Sequence, residues 1–109
     1  MESNPTNNPG WLSALKDEKI LSALESIHLQ PAKPWTIESL AASIGISRAT
    51  LANRFKETLG STPMEYLAKL RIEKGKQLLA DGRNSLEEVA RAVGYSSAFA
   101  FSKAYKRIK

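Results

Sequence analysis

The 109-residue sequence has no cysteine and a single histidine, His28. Without cysteine there is no disulfide, thiolate metal site or cysteine nucleophile, a composition that fits a reducing cytoplasm. One histidine argues against a histidine-built metal or acid/base site, and His28, on the edge of an apolar stripe, reads as a capping or packing residue. No apolar run approaches the roughly 18 residues a membrane span needs, and the polar start MESNPTNNPG is unlike a signal peptide. The length suits one domain or two very small subdomains and is too short for a large enzyme fold with a deep cleft. Neither a cofactor nor a metal is expected.

Charge is unevenly placed. Sixteen Lys and Arg stand against eleven Asp and Glu, a net charge of +5 that points to polyanionic partners. Residues 1–46 hold three basic and five acidic side chains, whereas residues 47–109 hold 13 and six. From Ser97 onward there are Lys103, Lys106, Arg107 and Lys109 and no acid. The positive field therefore belongs to the later part of the chain.

Residues 1–10, rich in Asn, Pro, Ser and Gly, read as a flexible tail or linker stub. Leu15, Ile20, Leu21, Leu24, Ile27 and His28 then recur at helical spacing, predicting a helix over about 17–29 that Pro31 and Pro34 end. Thr36 is placed as an N-cap ahead of Ile37, Leu40, Ala41 and Ile44, with Gly45 closing the short helix. Ser47 opens a helix carrying Leu51, Phe55 and Leu59, which Gly60 stops. Thr62 followed by Pro63 begins a longer helix traced by Met64, Leu67, Leu70, Arg71, Leu78 and Leu79 to about Ala80. Asp81 and Gly82 break the chain, and Ser85 with Glu88 forms a capping box before Leu86, Val89, Ala90 and Val93. Gly94 ends that helix and Ser97 opens the last one, with Phe101, Tyr105 and Ile108. No period-2 segment is long enough to be a strand, so the fold class is all-α.

One unit occurs twice. Residues 36–45 and 85–94 agree at an offset of 49 in cap, apolar, Glu, polar, apolar, Ala, apolar and Gly positions. Beyond the glycines, Leu51, Phe55 and Lys56 match Phe101, Tyr105 and Lys106 at an offset of 50, so the second turn is one residue longer. A short helix, a glycine turn and a longer helix make a helix-turn-helix. Ala41 and Ala90 let the two helices of each unit approach closely. At about 100° per residue, burying Leu51 and Phe55 turns Ala49, Ala52, Asn53 and Lys56 outward. Burying Phe101 and Tyr105 likewise exposes Phe99, Ser102, Lys103 and Lys106. These outward arcs hold what base reading needs: Asn for adenine edges, Lys for guanine, Ala or Phe for a thymine methyl. The helix between the units, about 25 Å long, is of the order needed to place both arcs on one side of a duplex whose successive major-groove faces are about 34 Å apart.

The runs Trp35-Thr-Ile-Glu-Ser-Leu-Ala, Gly45-Ile-Ser-Arg-Ala-Thr-Leu-Ala-Asn-Arg-Phe-Lys, Gly60-Ser-Thr-Pro-Met-Glu-Tyr-Leu and Val89-Ala-Arg-Ala-Val-Gly-Tyr-Ser-Ser-Ala-Phe-Ala-Phe-Ser-Lys-Ala-Tyr-Lys resemble the DNA-binding domain of the AraC/XylS family of bacterial transcription regulators. The resemblance covers nearly all of residues 17–109. It implies two homeodomain-like helix-turn-helix subdomains, 11–62 and 81–109, joined by a linker helix at 63–80, with recognition helices at about 47–59 and 97–108 in adjacent major grooves of double-stranded DNA. It further implies a cytoplasmic, nucleoid-associated regulator, most such proteins activating transcription by contacting RNA polymerase. Matched position by position, the base-reading places fall on Ala49, Ala52 and Asn53 in the first recognition helix and on Ala98, Phe99, Ser102 and Lys103 in the second.

Three departures from the family pattern stand out. Gly75 sits where such linker helices usually carry alanine, at a cost of up to about 1 kcal/mol of helix propensity, and would let something pack close. The first arc has only Asn53 able to make a bidentate contact, so that half is expected to contribute less base specificity. The chain stops at Lys109, before the tail that typically follows, and lacks the cupin-like sensor that precedes this domain in the members it resembles. These features favour an excised domain over a stand-alone regulator.

Trp11 and Trp35 read as packing anchors. Arg48, Arg54, Lys56, Lys106 and Arg107, in a basic half beside helix N-termini, read as phosphate contacts, together with the cap residues Thr36, Ser47, Ser85 and Ser97. Phe99 is either a thymine-methyl contact or a patch for packing on the companion unit. Glu87 repeats Glu38, and Glu88 completes a capping box, so neither reads as a catalytic carboxylate and no enzyme activity is expected. The other reading, a helical protein-interaction module without DNA binding, would call for acidic or apolar outer arcs.

Overall fold

The computed structural model describes residues 16–108, which form six α-helices and no strand. They are α1 (Glu18–Leu29), α2 (Ile37–Ile44), α3 (Arg48–Leu59), α4 (Pro63–Asp81), α5 (Leu86–Ala92) and α6 (Ala98–Ile108). The tail expected at 1–10, Leu15, Trp11 and Lys109 lie outside the described residues. The described chain divides into two compact units. One takes the residues up to Leu29 and Trp35–Glu65, the other Gln30–Pro34 and Tyr66 onward.

In the first unit α1 packs on α2 and α3, and α2 on α3. Its buried side chains come from all three helices and the segment before α2: Ile20, Ala23, Leu24, Ile27, Trp35, Leu40, Ala41, Leu51 and Phe55. Asp17 precedes α1 and does not extend it: its carboxylate accepts from the backbone N–H groups of Lys19 and Ile20, satisfying donors that a helix start leaves open. Lys19 in turn donates to the carbonyl of Ile44 at the end of α2. Thr36 caps α2 in a reciprocal box in which Ser39 takes the part usually played by Glu or Gln. A second such box begins α4, Thr62 Oγ1 accepting from Glu65 N–H while Glu65 Oε1 accepts from Thr62 N–H. Thr62 and Pro63 mark this start in the sequence, and Glu65 adds the reciprocal bond.

The second unit is built on α4, α5 and α6. Its core joins Ile72, Val89, Ala90, Val93, Phe101 and Ala104, with Leu78, Tyr95, Tyr105 and Ile108 packed against it. Tyr105, expected in the core, is half-buried at its margin, its ring edge-on to Phe101 at 6.2 Å. Leu79, one of the residues that trace α4 in the sequence, is exposed. Arg71, another of them, donates to the carbonyls of Pro31 and Lys33, both at 2.8 Å, and lies over the Tyr95 ring. Burial pulls its guanidinium below the ordinary arginine value, partly offset by Tyr95. Burial raises the Tyr95 hydroxyl, Arg71 and Arg107 opposing it.

Gly75 has a clear structural reason. A Cβ there would lie 2.5 Å and 2.6 Å from Cε1 and Cζ of Phe101, so the ring packs directly on the α4 backbone. The missing methyl is the space Phe101 occupies.

Candidate nucleic-acid interface

Each unit presents its longer helix by the same local devices. In the first, Gly45 at φ 78° reverses the chain after α2, and Ile46 N–H donates to Ala41 C=O. In the second, Gly94 at φ 108° follows α5 and Tyr95 N–H donates to Ala90 C=O, the same bond 49 residues later. Ser47 then caps α3 through Thr50 N–H, and Ser97 caps α6 through Ala100 N–H. Those caps are 50 residues apart, so the extra residue of the second turn falls between the reversal and the cap.

The repeated glutamate has a matching role in both units. Glu38 Oε2 pairs with Arg48 Nη1 at 2.9 Å, and Glu87 Oε1 accepts from Ala98 N–H at 3.3 Å. Arg48 and Ala98 are the first residues of α3 and α6. Each glutamate thus ties the short helix to the first turn of the helix that follows. The repeat was visible in sequence, but the contact was not, because its partners are a side chain in one unit and a backbone N–H in the other.

On α3, Ala49 and Asn53 are exposed and Ala52 is half-buried. Ala49 and Ala52 line an apolar groove of about 390 Å³ with Ile37, Arg48, Thr62, Pro63 and Met64. Lys56 is exposed further along the helix. Arg54 is otherwise engaged: Nε and Nη2 donate to the two carboxylate oxygens of Asp17 at 3.1 Å and 2.6 Å. Partial burial alone would raise the Asp17 carboxyl. The hydrogen bonds from Arg54, Ile20 and Lys19 and the guanidinium charge outweigh it and hold the pKa below the ordinary carboxylate value. Glu38 is also lowered, by its own backbone N–H and then by Arg48.

On α6, Phe99 is 76% exposed, Lys103, Lys106 and Arg107 are exposed, and Ala98 and Ser102 are half-buried. Lys103, Lys106 and Arg107 border a second depression of about 520 Å³ with Tyr95, Ala100 and Ala104. Phe99 stands apart from that depression. Of the expected backbone-contacting caps, Thr36, Ser47, Ser85 and Ser97 all spend their hydroxyl oxygens on helix N–H groups. Ile37 and Met64 read in the sequence only as residues of their helices, and Tyr95 carries no role there; their places beside the two arcs depend on loop geometry.

A capped short helix, a glycine turn and a capped longer helix, occurring twice, define a double helix-turn-helix protein. Residues 40–109 match the helix-turn-helix domain family, and the chain belongs to its AraC type. An AraC-like transcription regulator of Streptomyces lividans is 43% identical over 108 residues, 99% of this chain and 36% of that protein. The transcriptional regulator AlkR of Acinetobacter baylyi is 42% identical over 97 residues, 89% of this chain and 32% of that protein. The chain spans about a third of the length of these curated relatives. Among solved structures, an AraC-type transcriptional regulator from Chromobacterium violaceum superposes with a TM-score of 0.77 at 30% identity, covering 86% of this chain and 84% of that one. The DNA-binding domain of AdpA, a global transcriptional factor solved in complex with a target DNA, does so with a TM-score of 0.77 at 27% identity, covering 82% and 80%. Among the described residues no helix is long and apolar enough to cross a membrane, and no cluster of metal-ligating side chains occurs.

Proposed function

We propose that the chain binds double-stranded DNA sequence-specifically as part of a bacterial transcription regulator, α3 and α6 each entering a major groove, the two grooves being successive ones. The observation that carries the reading is the pair of capped, glycine-turned helices whose outward faces show Asn53 on one and Phe99 and Lys103 on the other. Ala49, Ala52, Asn53, Ala98, Phe99, Ser102 and Lys103 are the base-reading side chains. Lys56, Lys106 and Arg107 meet phosphate, joined by Arg48 when its exposed pair with Glu38 opens, a pair worth little in water. Arg54, held by Asp17, supports α3 in place. The regulator works in the cytoplasm on the nucleoid, catalyses nothing, and activates transcription through RNA polymerase.

A fluorescence-anisotropy titration with duplexes selected from a random pool tests this. Binding should prefer the selected duplex and weaken steeply with salt, and Asn53→Ala and Lys103→Ala should each weaken it about 5- to 150-fold, the worth of about 1–3 kcal/mol for a good base contact. Unchanged binding in both variants would sink the assignment.

A further inference from the structure

The two units share an architecture but not a charge. Among the described residues the first unit carries five Lys and Arg against six Asp and Glu, the second ten against four. On α3, Arg48 and Arg54 each face a carboxylate, Glu38 and Asp17, so the positive field over that helix is small. On α6, Lys103, Lys106 and Arg107 gather beside Tyr95, and the helix contains no acid.

In place of charge, the outward side of α3 offers methyl groups. Ala49 and Ala52 open onto the groove they share with Ile37, Pro63 and Met64, and although Arg48 and Thr62 also border it, the surface they leave open is almost wholly apolar. A polar base edge set against those methyls would lose water and find few partners. In the major groove the one apolar group on a base edge is the C5-methyl of thymine. Asn53, exposed one residue beyond Ala52, suits the adenine of an A·T pair.

We infer that the first unit reads DNA through thymine C5-methyl groups seated against Ala49, Ala52 and the adjoining groove, with weak dependence on salt, while the second unit supplies most of the phosphate attraction. The inference rests on the DNA-binding reading above. It makes the target asymmetric: one half is recognised by shape and methyls, the other under strong electrostatic pull.

The test uses the 109-residue chain and a duplex that it selects from a random pool. Each thymine is replaced singly by uracil, which removes the methyl and leaves base pairing intact. At one or more positions in one half of the site the replacement should weaken binding about fourfold, the fold-change for a methyl-sized group worth about 0.8 kcal/mol. Ala49→Gly should weaken binding to the thymine duplex by a similar factor and erase the thymine–uracil difference there. Lys106→Ala should flatten the salt dependence more than Lys56→Ala does. Ala52→Ser serves in place of Ala49→Gly if the latter's helical circular dichroism is reduced. A site indifferent to uracil at every thymine, with sequence preference intact, overturns the inference and leaves the DNA-binding reading standing. Uracil sensitivity that survives both α3 variants and disappears in Phe99→Ala overturns it too. A chain that selects no sequence overturns both readings.

Discussion

Replacing Gly75 by alanine sets two effects of opposite sign against each other. Glycine in a helix interior costs about 1 kcal/mol relative to alanine, so propensity alone predicts that Gly75→Ala stabilises the second unit by that amount. The new Cβ, however, would stand 2.5 Å from Cε1 and 2.6 Å from Cζ of Phe101, more than about 1 Å inside ordinary carbon contact. The ring has little room to withdraw. Phe101 is 1% exposed, with Tyr95 and Tyr105 edge-on to it at 5.9 Å and 6.2 Å and Val89 in the same core. Overfilling a packed core costs about 1–3 kcal/mol, and a contact this short belongs in the upper part of that range. The net expectation is a loss of about 1–2 kcal/mol, read as a melting temperature lowered by about 4–15 °C in a chain of this size. Phe101→Leu should shrink or reverse the effect: that change alone opens space and destabilises, and Gly75→Ala added to it should cost less or stabilise, a coupling of about 1 kcal/mol or more in a double-mutant cycle. A higher melting temperature for Gly75→Ala in the otherwise native chain would show that the Phe101 ring does not oppose a methyl at this position.

The other stability predictions concern Asp17 and the turn glycines. Asp17→Asn keeps an N-cap for α1 but loses the charge facing Arg54, and should cost about 1 kcal/mol at pH 7. Because the folded-state pKa of Asp17 is lowered, its contribution is present above the unfolded value of about 3.9 and is lost as pH falls through the folded value. Urea midpoints of wild type and Asp17→Asn should therefore differ at pH 7 and converge in strong acid; a gap that persists there would contradict the ion-pair account. Gly94→Ala combines a left-handed φ of 108° with a Cβ 2.9 Å from Arg71 Nε and 3.0 Å from Ala32 Cα, and should cost about 2–4 kcal/mol. Gly60→Ala, at φ 82° with nothing within 4 Å, should cost only about 1–2 kcal/mol, and equal losses in chemical denaturation would show that crowding at Gly94 is immaterial.

The helices were legible because their signals are local. Thr36, Ser47, Ser85 and Ser97 sit at the caps where side-chain chemistry placed them, and the repeat located both glycine turns. Gly75 was legible as an anomaly, but the ring that fills its place comes from 26 residues away. Asp17 and Arg54, 37 residues apart, and Arg71 with the carbonyls of Pro31 and Lys33 form pairs that periodicity cannot announce. For that reason the sequence shows Arg71 only as one more residue along the long helix. The outward arcs followed from helical geometry once Leu51, Phe55 and Phe101 were buried. The groove beside Ala49 did not, because it depends on where the starts of α2 and α4 come to lie beside α3.

If Lys103 on α6 reads a base while its neighbour Lys106 holds the phosphate backbone, Lys103→Ala and Lys106→Ala should differ on a selected duplex, on its single-base variants and across a range of salt. Lys103→Ala should weaken binding and relax the preference at one base pair. Lys106→Ala should weaken every duplex alike and reduce the slope of log affinity against log salt by about one. Uniform loss from both variants, with every base preference retained, would contradict that division of roles.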